Sequence, residues 1–126
     1  MFRKIAIGAA LTAGLTHLVV ALGYYFHTPA QGIWLAVAGL FEVAWAVGYW
    51  RQPARLRLAG QGLLGGLLAL WLLTLTVSAP FGAHVWPLDG AVLLTKSAEG
   101  IGWVALLWGE YDRRRRQPNH GRNWVI

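Results

Sequence analysis

Four ionisable side chains interrupt long apolar stretches of this chain: His17, Glu42, Lys96 and Glu99. An imidazole, two carboxylates and an ammonium are the groups that hold and pass protons, pair with ions or grip a small polar ligand. Set among leucines, valines and glycines, each must find a partner or lose its charge. Lys96 and Glu99 stand three residues apart and can meet on one helical face, although Lys before Glu is the weaker order for such a pair. One lysine cannot neutralise both Glu42 and Glu99. An excess acid remains, and it is expected to hold a proton, alone or shared with His17.

These residues lie in three of four apolar runs, residues 5–26, 31–50, 58–78 and 90–109; the third carries none of them. Each is close to the ~20 residues that carry a helix across ~30 Å of hydrocarbon. The fold class that follows is all-α: a polytopic membrane protein of four transmembrane helices in an up-down bundle, with residues 1–126 as one domain and 111–126 as a basic tail. With ~1.5 Å of rise per residue, all four ionisable groups fall within about 5 Å of the middle of their runs. They therefore share a layer.

The helical faces agree. Ala10, Ala13, Gly14, His17 and Ala21 recur at helical spacing, and so do Ala38, Gly39, Glu42 and Ala46. Trp71, Thr74 and Ser78 form a third stripe, and Lys96, Glu99, Gly100 and Trp103 a fourth. Small residues beside a charge are what a closely packed bundle interior requires. The stripes are expected to converge on a site of His17, Glu42, Lys96 and Glu99, approached past the hydroxyls of Thr74 and Ser78. Two charges in the fourth run cost about 5 to 7 kcal/mol on the insertion scale, against about 2 to 4 returned by its aliphatic residues. That helix needs its neighbours.

Charge placement sets orientation. Of eleven lysines and arginines, ten cluster at Arg3/Lys4, at Arg51, Arg55 and Arg57, and at Arg113 to Arg116 with Arg122, while residues 27–30 and 79–89 carry none. By the positive-inside rule both termini face the cytoplasm. The net charge of +6 is explained by topology and anionic lipid headgroups rather than nucleic acid, for which no folded reader is visible. The absence of cysteine excludes disulfides and thiolate metal sites. The first run is about 22 residues long, beyond the ~7 to 15 of a signal-peptide core, and reads as a retained helix.

Local signals complete the sequence-level picture. Pro29 and Gly32 are expected to turn the chain between the first two helices, and Arg51 with Pro53 to end the second. Gly60, Gly62, Gly65 and Gly66 should let a neighbouring helix backbone come close to the third. That helix should end at Ser78, before Pro80, and Asp89 should cap the fourth. Trp34, Trp45 and Trp103 are expected on outward faces, where they would suit a partner protein.

His-Leu at 17 and 18, an acid at Glu42, Pro-Phe-Gly at 80 to 82 and the Lys96 to Glu99 segment together resemble small, uncharacterised bacterial four-helix integral membrane proteins. The resemblance spans most of the chain and implies a multi-pass protein of the bacterial inner membrane; it brings no activity with it. The chain departs from that group in having no acid directly before His27, which counts against a metal held there with His84.

Three functions fit the residues. The leading one is a buried site binding a proton, ion or small polar ligand, tied to transport, which in so small a bundle calls for a homo-oligomer. The second is an accessory or assembly subunit of a larger membrane complex. The third is a metal or haem protein using His17 with Glu42 and Glu99, or the outer histidines His27 and His84; haem held by two histidines is disfavoured because His17 alone lies at mid-membrane depth. No resident cofactor is expected. Nucleophile motifs, phosphate loops and HExxH are absent from the sequence, which argues against an enzyme.

Overall fold

The computed structural model describes residues 1–75 and 89–116, which form four helices: α1 Phe2–His27, α2 Pro29–Arg51, α3 Pro53–Thr74 and α4 Gly90–Arg116. All four are long and apolar enough to cross a membrane. Each runs antiparallel to its neighbours in a ring of α1, α2, α3 and α4, with α1 packed extensively on α2 and α4, and α3 held more lightly. Arg3, Lys4, Arg51, Arg55, Arg57 and Arg113 to Arg116 all lie at one end, called here the basic end.

The helices outrun the hydropathic segments because a helix does not stop where hydrocarbon does. Single residues, Thr28 and Gln52, separate α1 from α2 and α2 from α3. Pro29 and Pro53 each open the helix that follows, where the missing N–H would lack a partner anyway and the fixed φ is already helical. Gly32 is therefore inside α2 and not in a turn, and α3 begins five residues before its apolar run. Thr28 makes the tight reversal: its N–H donates to the Tyr24 carbonyl at 2.7 Å and its own carbonyl accepts from Gln31 and Gly32. At the start of α4, Asp89 Oδ1 accepts the N–H of Val92 at 2.8 Å, the cap its position implied. The expected end of the third helix at Ser78 lies outside the described residues.

The closest helix approach is between α1 and α2. A Cβ built on Gly14 would lie 2.9 Å from the Gly39 carbonyl oxygen, and one on Gly39 would lie 2.7 Å from that of Gly14, so only glycine fits at either point. The glycines of α3 do something else. Gly60 and Gly65 receive the indole rings of Trp45 and Trp103, while Gly62 and Gly66 face open space. Flat rings, not a neighbouring backbone, fill the gap. Trp45 is buried, stacks on Tyr49 at 4.8 Å, and donates Nε1–H to the Leu56 carbonyl at 2.8 Å. Trp34, Trp45 and Trp103 thus face inward or pack on a neighbour, contrary to expectation, and the exposed tryptophans among the described residues are Trp50 and Trp108.

Towards the basic end the bundle is filled. Ala6, Ile7, Ala10, Trp45, Ala46, Tyr49, Leu64, Ala105 and Leu106 form a contiguous core, and Leu64 is 0% exposed. At the tip, Glu110 of α4 gathers Arg57 of α3 at 3.1 Å together with Arg113 and Arg114 of its own helix. The Arg3 guanidinium donates to the Trp50 carbonyl, tying α1 to α2.

Candidate functional site

His17 sits on the small-residue stripe of α1, where Ala10, Ala13, Gly14 and Ala21 are buried with it. Glu42 occupies the matching stripe of α2 with Ala38, Gly39 and Ala46. The Gly14/Gly39 contact draws the two backbones together one turn from both side chains, and the imidazole and carboxylate meet there. His17 Nδ1 is 2.8 Å from Glu42 Oε2. On the other edge of the ring, Nε2 lies 3.7 Å from Glu99 Oε1 of α4. Lys96, one turn earlier on α4, donates to both oxygens of Glu99, at 2.7 and 2.9 Å.

The result is a compact quartet, Lys96, Glu99, His17 and Glu42, drawn from three helices. Both glutamates are 0% exposed and His17 is 5% exposed. Neutral histidine leaves the quartet with one net negative charge, and a proton on the imidazole brings it to zero with a donor facing each carboxylate. Glu42 Oε1 has no hydrogen-bond partner among the described residues. An ionised carboxylate so placed carries an uncompensated lone pair, so the arrangement favours an additional proton or polar atom at that oxygen.

The interior stripe of α4 differs in part from its sequence reading. Thr95, Ala98, Glu99, Gly102, Ala105 and Leu106 are buried, whereas a Cβ built on Gly100 would meet no neighbouring helix. Lys96 stands at the border, its side chain 13% exposed.

A cavity of about 280 Å³ lies between all four helices on the side of the quartet away from the basic end. His17 and Lys96 form its floor, and Val20, Leu35, Ala38, Leu67, Leu70 and Val92 most of its wall. Tyr24, Trp34, Trp71, Thr74, Ala91 and Thr95 complete it. Thr74 therefore lines the approach, but its hydroxyl donates to the Trp71 carbonyl of its own helix at 2.7 Å and not to the quartet. Ser78 and His84 lie outside the described residues. His27 is the exposed last residue of α1, remote in sequence and depth from the quartet.

Thr95, Tyr24 and Trp34 were not anticipated at the site. Thr95 carried a signal, being four residues before Glu99 on the same face; the aromatic residues did not, because interface belts and cavity walls draw on the same residue types.

No protein-family model, curated protein or solved structure matches this chain. The chemistry must be read from the side chains. His17, Glu42 and Glu99 each offer one ligand atom, all within 4.8 Å of one another, a spacing compatible with a metal ion. Lys96 opposes that use, since its ammonium already contacts both oxygens of Glu99. The geometry places an imidazole between two buried carboxylates, beside a cavity bounded by all four helices.

Proposed function

We propose that this chain is a small multi-pass protein of the bacterial inner membrane, N-in and C-in, whose His17/Glu42/Lys96/Glu99 quartet binds a proton or a small polar ligand entering from the cavity. The observation that carries the reading is His17 held between two fully buried carboxylates of different helices, one of which keeps an unpartnered oxygen. A purely structural salt bridge would be expected to satisfy its lone pairs, and it would not need three helices to share one proton. The transport role implied by such a site requires a second access route. On the basic side Leu64, Ala46 and Leu106 fill the space, so a homo-oligomer or a larger membrane complex would supply it. The reading of these residues as docking groups for a partner loses one support, since the tryptophans expected to face that partner turn inward.

Proton occupancy is measurable. In lipid-reconstituted protein, infrared difference spectra should show a protonated carboxyl band near neutral pH that shifts in deuterium oxide and disappears in Glu42→Gln or Glu99→Gln. Absence of that band from the native protein at every pH between 5 and 9 would remove the reading in which one of the two acids holds the proton. Orientation has its own test, and a cysteine-free background suits it. Thr28→Cys should react with an impermeant maleimide in intact cells and Gln52→Cys should not; the reverse pattern would overturn the topology.

A further inference from the structure

From the cavity and its polar floor we infer that the quartet's ligand is a neutral, lipid-soluble molecule with an apolar ring-sized body and a carbonyl-type acceptor oxygen, which it presents to Lys96. This deepens the reading above and rests on it.

Size comes first. At about 280 Å³ the cavity has nearly twice the roughly 150 Å³ in which an apolar protein cavity takes up benzene. It approaches the roughly 300 Å³ at which ligand pockets begin. Its wall of Val20, Leu35, Leu67, Leu70 and Val92 offers nothing that would hold several waters. An apolar body belongs there.

The polar end selects the head. Thr74 and Thr95 line the cavity, yet each directs its hydroxyl proton to a carbonyl of its own helix, Trp71 at 2.7 Å and Ala91 at 2.8 Å. Lys96 has three N–H groups, and two suffice for its contacts with Glu99, which leaves one for a molecule in the cavity it lines. Trp71, also in the wall, keeps a buried Nε1–H with no partner among the described residues. The threonine oxygens keep lone pairs that can accept, but the charged N–H of Lys96 is the strongest polar group at the cavity, and the head complementary to it is an acceptor. Charge then separates a carbonyl from a carboxylate. With the shared proton on one of the two carboxyls the quartet sums to zero, so an anionic head would bring an uncompensated charge into the membrane interior, and a carbonyl brings none.

The test uses three probes of one outline: duroquinone, a methylated ring with two carbonyls; durene, the same ring with no oxygen; and a tetramethylbenzoate. Each is titrated by calorimetry into the full-length protein in nanodiscs, with empty nanodiscs subtracted for partitioning. Duroquinone is expected to bind saturably and at least tenfold tighter than either of the others. Lys96→Met should weaken it about tenfold, the loss of one hydrogen bond to a charged donor. Leu70→Trp, on the one helix that carries no member of the quartet, should fill the cavity and abolish binding while the carboxyl band persists; if it does not fold, Leu67→Trp serves in the same way. Equal binding of duroquinone and durene would mean an apolar cavity with no acceptor site and would overturn the inference. Preference for the benzoate would overturn the neutral head, and so would saturable binding of none of the three. In each of these cases a retained carboxyl band leaves the proton-binding reading intact, whereas loss of the band from the native protein removes both.

Discussion

The two halves of the bundle are built from similar residues and end up in opposite states. Towards the basic end, Ala6, Ala10, Ala46 and Ala105 let the helices close on Leu64 and on the flat ring of Trp45. Towards the other end, Leu67, Leu70 and Val92 stand around empty space, although they are no smaller. The difference lies in α3. Gly60 and Gly65 allow it to sit tightly over the indoles of Trp45 and Trp103, and beyond Leu67 it carries no glycine to bring it in. The quartet sits at the boundary, closed on one side and open on the other. Composition alone does not make a core; the placement of the residues that permit approach does.

The largest test of this contrast is truncation in each half. Leu64→Ala should cost about 2–5 kcal/mol, as for a fully buried leucine whose neighbours cannot collapse, while Leu70→Ala should cost about 1 kcal/mol or less because it already faces a void. Unfolding in mixed detergent micelles measures both. Equal losses would mean that the far half is as tightly packed as the near one.

At the boundary itself, a double-mutant cycle of His17→Asn with Glu42→Gln should give a coupling of about 1–3 kcal/mol, above the ~0.6 typical of polar contacts between membrane helices. Additive losses would show that the two groups do not act together.

Within the filled half, Trp45→Phe keeps the stacked ring but removes the donor to Leu56, and a loss of about 1 kcal/mol is expected from the same unfolding assay. A loss within error would place the stabilisation in packing alone. The smallest effect belongs to the tip. Arg57→Gln at the half-exposed Glu110 cluster should change stability by less than about 0.5 kcal/mol and should do so less at high salt; a larger, salt-insensitive loss would show that the cluster is shielded from solvent.

Much of the site could be read before the structure, and the reason is specific to membranes. A charge among apolar residues is expensive, so His17, Glu42, Lys96 and Glu99 identify themselves, and Ala13, Gly14, Ala38 and Gly39 beside them mark the faces that pack. The faces of the tryptophans could not be read. Each helix is apolar nearly all round, so Trp34, Trp45 and Trp103 carry no contrast that separates inside from outside. Gly60 and Gly65 invited a backbone neighbour and received a ring, because a missing Cβ states that something comes close without stating what. The second helix ends at Arg51 as read, but the starts of the second and third were placed too late, because Pro29 and Pro53 themselves open those helices. The cavity was not legible at all, since its volume is a difference between four surfaces, and none of them is wholly encoded in one run.

The pairing pattern also has a history in time. His17 and Glu42 reside on the first two helices to be synthesised, and together they form a hairpin whose buried acid already has its imidazole. The helix bearing Glu99 is the last and has the lowest mean hydropathy of the four, 1.2 against 2.0 for α1. It therefore joins helices that are already paired, and the quartet is complete only when it does. Nascent chains halted after residue 75 should remain integrated in the membrane, whereas residues 89–116 translated alone should pass into the lumen of the translocation channel; efficient integration of that lone segment would show that no such order of birth is imposed.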